Sequence, residues 1–294
     1  MHDQRFFDST LALLERGAVD PALHMLVGCL HAAKADEQRW QQARTTYMRH
    51  PLRARMLEDP YIARAVHKPR GYAGDAELIE MIYSRRPPEG TSPLGLQLFE
   101  TSIGFTAAEA VRLRRDHAQV VVEQAHAAGQ RVLSLACGYF GEGQNLAKRD
   151  LSGFVLVDQD ALSLAEVRRR YGAGLECHEA NVFSYLRAAA SRGEQFDLVY
   201  TLGLTDYLDE RAMHLLHRMV KAVLKPGGTF LLANFMPLHL AIGWLDAVME
   251  WHLIYREPEE LLGYAQAQGF SAQTWPDPTG IIAWCEMLAP AHAQ

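Results

Sequence analysis

The stretch Arg131-Val-Leu-Ser-Leu-Ala-Cys-Gly-Tyr-Phe-Gly-Glu-Gly143 joins a short apolar run, Val132 to Ala136, to a small-residue turn at Cys137-Gly138. This pattern predicts a buried strand, a turn and a helix. Backbone N–H groups can approach a ligand at such a turn, because glycine carries no side chain to hold the ligand away. A second apolar run, Phe154 to Val157, ends at Asp158, twenty residues beyond Gly138 (158 − 138). At that distance a nucleotide-binding fold keeps the carboxylate that accepts hydrogen bonds from ribose hydroxyls. Asp160 competes for the role, but it is also placed to cap a helix starting at Ala161. A third run ends at Ala180-Asn-Val-Phe183, where the Asn181 amide could hold an adenine edge or cap the next helix.

Such residues work together only if a parallel sheet gathers the strand ends on one side. After Gly129 the sequence has that pattern, with short apolar runs alternating with amphipathic helices. The expected strands are Val132–Ala136, Phe154–Val157, Leu175–Ala180, Phe196–Tyr200 and Thr229–Asn234. A helical stripe of Ala212, Leu215, Leu216, Met219, Val220 and Val223 precedes the last, and Lys225-Pro-Gly-Gly228 supplies a turn back into the sheet. Two further strands, around Ala272–Trp275 and Ile281–Met287, suit a closing antiparallel hairpin.

From Asp3 to Gly129 the periodicity is helical. Phe7, Leu11 and Leu14 form one stripe, ended by Gly17. Asp20-Pro21 reads as the cap and first turn of the next helix, and a third runs from Glu37 to Met48, where Pro51 breaks it. Asp59-Pro60 and Asp75 each start a short helix, and Pro87-Pro88-Glu-Gly90 forces a loop. Thr106-Ala-Ala-Glu109 reads as a capping box opening a long helix through His126. The domain expectation is an all-helical cap over residues 1–125 and a sheet domain over 126–294. The sheet domain carries an apolar helical insertion at 238–251, whose Leu240, Ile242, Trp244, Leu245, Val248, Met249 and Trp251 cover most of a helix's circumference. Such a helix must be buried or face a partner or apolar ligand, and it could join the N-terminal helices as a lid.

A chain of 294 residues with 49% hydrophobic content can bury a sizeable core. The net charge of −6 argues against a long nucleic-acid surface, and the basic runs Arg112-Leu-Arg114-Arg115 and Arg168-Arg-Arg170 read as solvated helix faces. Cys29, Cys137, Cys177 and Cys285 are widely spaced, so reduced thiols and no metal site are expected. Met1-His-Asp-Gln-Arg leads straight into an amphipathic pattern. No apolar run approaches the roughly 18 residues of a membrane span, which places the protein in the cytoplasm.

Over residues 120–288 the sequence resembles the class I S-adenosylmethionine (SAM)-dependent methyltransferases. The carriers are Val132–Gly143, Phe154-Val-Leu-Val-Asp158, Ala180-Asn181, Phe196-Asp-Leu-Val-Tyr200 and Leu224-Lys-Pro-Gly-Gly-Thr-Phe-Leu-Leu232. The resemblance implies a Rossmann-like α/β fold with a mostly parallel seven-stranded sheet, SAM as cofactor and a small-molecule substrate, with homodimerisation left open. It implies cofactor contacts at Ala136, Cys137, Gly138, Tyr139, Asp158, Gln159, Asn181, Val182, Thr201 and Gly203. The chain departs from the family pattern in four places. The acid late in the first strand is replaced near Ser134, the first and third loop glycines become Ala136 and Phe140, and the acid at the third strand end becomes Asn181.

His67-Lys-Pro-Arg-Gly-Tyr-Ala-Gly-Asp75, Thr201-Leu-Gly-Leu-Thr-Asp-Tyr-Leu-Asp209, Asn234-Phe235 and Trp251-His-Leu-Ile-Tyr-Arg256 extend the match to both sides. They look like a bacterial subgroup with a helical N-terminal region, labelled as making methyl esters of 3-hydroxy fatty acids that serve as signals. The methyltransferase-like synthases of azetidine-2-carboxylate are a related group. The resemblance therefore implies methyl transfer to a small carboxylate in signal or secondary metabolism. Two alternatives stay open: cyclisation of SAM with release of methylthioadenosine, and SAM binding without catalysis.

Methyl transfer from a sulfonium needs alignment and a desolvated pocket more than an elaborate catalytic array. A carboxylate acceptor is already ionised at neutral pH, whereas a hydroxyl or amine would want a general base. Aromatic faces attract a sulfonium by roughly 0.5–2 kcal/mol, which makes Tyr72, Tyr139, Tyr207, Phe235 and Trp244 candidates. Tyr139, bulky within the turn itself, could point over the methionyl part of the ligand. Asp206 could receive the SAM ammonium or act as a base. Tyr72 could fold down over the site, and Arg70 could pair with a carboxylate.

Overall fold

The computed structural model describes residues 2–172, 174–237 and 239–291. Its first helices are α1 (His2–Glu15), α2 (Val19–Ala33), α3 (Glu37–Arg49), α4 (Pro51–Met56), α5 (Pro60–His67), α6 (Ala76–Ser84), α7 (Pro93–Ser102) and α8 (Thr106–Ala127). There follow β1 (Val132–Leu135), β2 (Phe154–Asp158), α9 (Ala161–Tyr171), β3 (Glu176–Glu179), α10 (Val182–Ser191), β4 (Phe196–Thr201), α11 (Glu210–Val223), β5 (Leu224–Phe235), α12 (Ile242–Ala247), α13 (Pro258–Ala267), β6 (Ser271–Pro276) and β7 (Ile282–Leu288). The chain divides into two compact units, Met1–Val111 with Leu238–His252, and Arg112–Pro237 with Leu253–Gln294. Residues 112–125 thus belong with the sheet, and the apolar segment after β5 belongs with the helices.

In the helical unit, side-chain caps set the helix starts. Asp36, Asp59, Asp75 and Ser92 each accept a backbone N–H from the first turn. Pro51 does more than end α3, because it occupies the first turn of α4, where its missing N–H costs nothing. Helix α7, additional to the helices expected from the sequence, has the same cap-and-proline start at Ser92-Pro93. Helix α2 begins at Val19, one residue before the expected cap Asp20, and α8 begins at Thr106 itself rather than after it.

The expected long insertion helix is a correction. Only Ile242–Ala247 is helical, and Glu250 takes a left-handed φ of 47° that turns the chain. Leu238, the start of the expected segment, lies outside the described residues. Gly243 lies against α2, where an added Cβ would stand 2.6 Å from the Leu30 carbonyl carbon. Asp246 pairs with Lys34, and Glu250 pairs with Arg53 at 2.8 Å.

The sheet unit holds one seven-stranded sheet in the order β3-β2-β1-β4-β5-β7-β6. Strands β1 to β5 are parallel, and β7 runs antiparallel to both β5 and β6, as the hairpin pattern predicts. Met213, Leu216, Val220 and Val223 of α11 pack with Val155, Val199 and Phe230 of the strands in one buried core. The Lys225-Pro-Gly-Gly228 turn is absorbed into β5. Leu224 pairs with Phe196 and Thr229 with Leu198, so the four residues between form a bulge. Only glycine fits at 228, since a Cβ would lie 2.9–3.2 Å from the carbonyl oxygens of Lys225, Phe196 and Asp197.

Candidate functional site

Strand β1 lies between β2 and β4. The chain winds one way from β1 to β3 and then returns to the other side of β1, so the segments leaving β1 and β4 diverge. That switch point, outside the carboxyl ends of the strands, is where an open parallel sheet leaves a crevice for a ligand. The topology brings Ala136–Tyr139, Asp158, Gln159, Asn181, Val182, Thr201 and Gly203 to this side of the sheet.

The turn after β1 alternates left-handed residues, with φ of 56° at Ala136, 52° at Gly138 and 53° at Phe140. Two of these carry a Cβ, each at a cost of roughly 1–2 kcal/mol. Asp158 secures the turn. Its Oδ2 accepts the Gly138 N–H at 2.8 Å and its Oδ1 accepts the Asp160 N–H at 2.9 Å. Burial raises the Asp158 carboxyl above its ordinary value against these bonds, and burial also pushes the Cys137 thiol up. Phe140 anchors the far end of the turn. Its ring is fully buried beside Phe154 and Tyr171, and Tyr171 donates to its carbonyl at 2.5 Å.

The remaining candidates fall into two sets. Asp160 caps α9 through the Leu162 N–H, and Asn181 caps α10 through the N–H groups of Phe183 and Ser184. Gln159 and Asn181 are exposed, whereas Val182 is in the core. Thr201 donates to the Leu135 carbonyl at 2.9 Å, tying β4 to β1. The Tyr139 ring carries the Arg170 guanidinium 5.0 Å from its centroid. Phe235 is buried at the end of β5, and Tyr207 is 39% exposed. Arg70, Tyr72 and Trp244 belong to the helical unit. Arg70 pairs with Glu77 at 3.5 Å, Tyr72 is half-buried between α5 and α6, and Trp244 is buried edge-on against Phe105.

No family model matches the chain, and no curated protein does. Among solved structures it is similar to a protein of Bordetella parapertussis described as a possible exported protein, with a TM-score of 0.58 and 19% identity over 81% of this chain and 93% of that one. It is also similar to the magnesium protoporphyrin IX methyltransferase of Synechocystis PCC 6803 with bound SAH, with a TM-score of 0.47 and 15% identity over 63% of this chain and 87% of that one. For an O-methyltransferase family protein of Burkholderia thailandensis the values are 0.46 and 18%, over 66% of this chain and 61% of that one. The sheet unit has a Rossmann-like α/β fold, with five parallel strands and a closing antiparallel hairpin. At these identities the likeness is one of fold alone.

Within the sheet unit the candidate Asp206 is buried, as are several polar residues to which the sequence assigns no role, Arg114, Glu142, Asn234 and Arg256 among them. Asp206 accepts the Phe235 N–H at 2.7 Å through Oδ1. Burial pushes its carboxyl up to about 6, against the lowering influence of Arg114, the Phe235 N–H and Arg256. Arg256 donates to the Thr205 carbonyl at 2.8 Å, to Asn234 Oδ1 at 3.0 Å and to the Leu208 carbonyl. Tyr200 donates to Glu142 Oε1 at 2.7 Å. Arg112 and Arg114 are 8% and 4% exposed, which corrects the reading of Arg112–Arg115 as a solvated face. The signal for such burial is a polar residue inside an otherwise apolar run, as in Leu-Leu-Ala-Asn234-Phe.

Proposed function

We propose that this chain binds SAM at the carboxyl ends of β1 to β4 and transfers its methyl group to a small-molecule carboxylate. The supporting observation is the Gly138–Asp158 clamp beside the switch point. It holds a left-handed backbone turn against the strand end where a ribose is expected. The ligand's ribose hydroxyls would be held by Asp158, its adenine by Gln159 and Asn181, and its amino-acid arm would extend past Gly138 toward Gly203.

SAM supplies an electrophilic methyl group on a sulfonium. A carboxylate acceptor suits the side chains around it, because the buried acids are already engaged. Asp206 is bonded to the Phe235 N–H and Glu142 to Tyr200. An ionised acceptor asks neither of them to take a proton. The chain's task is then alignment and exclusion of water. Among the described residues no helix is long and apolar enough to cross a membrane. A cytoplasmic role in signal or secondary metabolism is part of this proposal.

The test is incubation of the purified protein with SAM, with and without a panel of hydroxylated fatty acids and other small carboxylic acids, followed by mass spectrometry. S-adenosylhomocysteine and a methyl ester should appear only with an acceptor. Methylthioadenosine formed from SAM alone would overturn methyl transfer in favour of intramolecular displacement.

A further inference from the structure

The guanidinium of Arg114 is an unmet set of donors at the switch point. Its side chain is 5% exposed, and Nε has no hydrogen-bond partner among the described residues. The nearest carboxylate oxygen, Asp206 Oδ2, is 3.9 Å from Nη1, beyond hydrogen-bond reach. Each buried acid nearby is held by a bond through one of its oxygens, and neither hydrogen-bonds Arg114. Asp206 Oδ1 accepts the Phe235 N–H, and Glu142 Oε1 accepts the Tyr200 hydroxyl. Elsewhere in the unit a buried guanidinium is hydrogen-bonded, as Arg256 shows with its bonds to Thr205, Leu208 and Asn234. Arg114 differs in its place. It lies beside Gly203, just past the end of β4, where an added Cβ would stand 3.6 Å from Nη2, 3.8 Å from Nη1 and 3.9 Å from Cζ.

We propose that Arg114 anchors the α-carboxylate of the amino-acid arm of SAM, an inference that rests on the reading of this chain as a SAM-binding protein. Two adjacent N–H groups of a guanidinium match the two oxygens of a carboxylate, and this pairing is both strong and directional. The position suits the span. A ribose held by Asp158 would lie by the end of β2, and Arg114 lies by the end of β4, two inter-strand spacings or about 10 Å away. An arm leading from that ribose to Arg114 would cross β1. Gly203 matters because it leaves the guanidinium edge uncovered by a side chain. No proton need move, since arginine stays charged and the α-carboxylate is ionised at neutral pH.

The experiment is titration calorimetry of the full chain with SAM, decarboxylated SAM and methylthioadenosine, for the natural sequence and for Arg114→Gln and Arg114→Lys. The natural protein should bind SAM roughly tenfold to a hundredfold more tightly than decarboxylated SAM, the range for hydrogen bonds to a charged group. Arg114→Gln should erase that difference and leave methylthioadenosine affinity unchanged, while Arg114→Lys should keep part of it. Equal affinity of the natural protein for SAM and decarboxylated SAM would overturn the proposal without any variant, so a misfolded Arg114→Gln does not blunt the test. Loss of methylthioadenosine binding in a folded Arg114→Gln, shown by an unchanged circular dichroism spectrum, would also overturn it. If the natural protein bound none of the three, the SAM reading itself would fail.

Discussion

Tyr200 and Glu142 are joined by a 2.7 Å hydrogen bond, hydroxyl to carboxylate, with both side chains buried at the carboxyl end of the sheet. Burial raises the Glu142 carboxyl, and the Tyr200 hydroxyl is the largest influence lowering it. Removing the hydroxyl leaves a buried acid without its donor, whereas an amide at 142 still offers an oxygen. Tyr200→Phe should therefore destabilise the protein by about 1–3 kcal/mol, and Glu142→Gln by less. Chemical denaturation of the two variants checks the order. A larger loss for Glu142→Gln would show that the carboxylate matters through its charge.

Asp158 holds the turn after β1 through two backbone N–H groups, and the proposed ribose contact would draw on the same carboxylate. Asp158→Ala should weaken SAM binding by roughly tenfold to a hundredfold in calorimetry, the range for hydrogen bonds to a charged acceptor. Unchanged affinity would place the ribose elsewhere.

The left-handed backbone at Ala136 is held against the preference of an L-residue. Ala136→Gly should relieve that strain and raise stability by up to about 1 kcal/mol, after the greater chain entropy of glycine is deducted. Gly143 behaves in the opposite way, because a Cβ there would stand 2.1 Å from Phe140 Cε1. Gly143→Ala should displace the buried Phe140 ring and destabilise by about 1–3 kcal/mol. Urea midpoints moving in opposite directions at constant slope would bear out both effects.

Much of this arrangement is legible in the sequence because its signals are local. Strand ends at Asp158 and Asn181, the caps Asp59, Asp75 and Asp160, and the Pro276–Gly280 hairpin each follow from a few adjacent residues. Burial of Arg114, Asp206 and Arg256 is not local. The sequence shows three charged residues, and only the sheet order brings them to the ends of β4 and β5. The apolar segment after β5 failed for a related reason. Its composition suits a helix buried on all sides, but packing of Gly243 on the Leu30 backbone and the reversal at Glu250 leave one short helix. Asn181 and Asp160 each read in the sequence as a ligand contact or a helix cap, and the structure shows the cap in both cases.

Asp59 gives the helical unit a predictable pH dependence. It is buried, accepts the Tyr61 N–H at 2.9 Å and takes the Ser102 hydroxyl at 2.6 Å. Burial outweighs these bonds and pushes its carboxyl up from 3.8 to about 7. The folded state therefore holds this proton more tightly than the unfolded chain does. Stability from this group is greatest below pH 3.8, falls as pH rises from there to about 7, and is level above. The full change is on the order of 4 kcal/mol. Asp59→Asn keeps an oxygen for the Tyr61 N–H and removes the titration. The stability of Asp59→Asn relative to the natural protein should accordingly improve by that order between pH 4 and pH 7 in urea titrations. A difference that stays constant across this window would mean that Asp59 remains ionised in the folded unit.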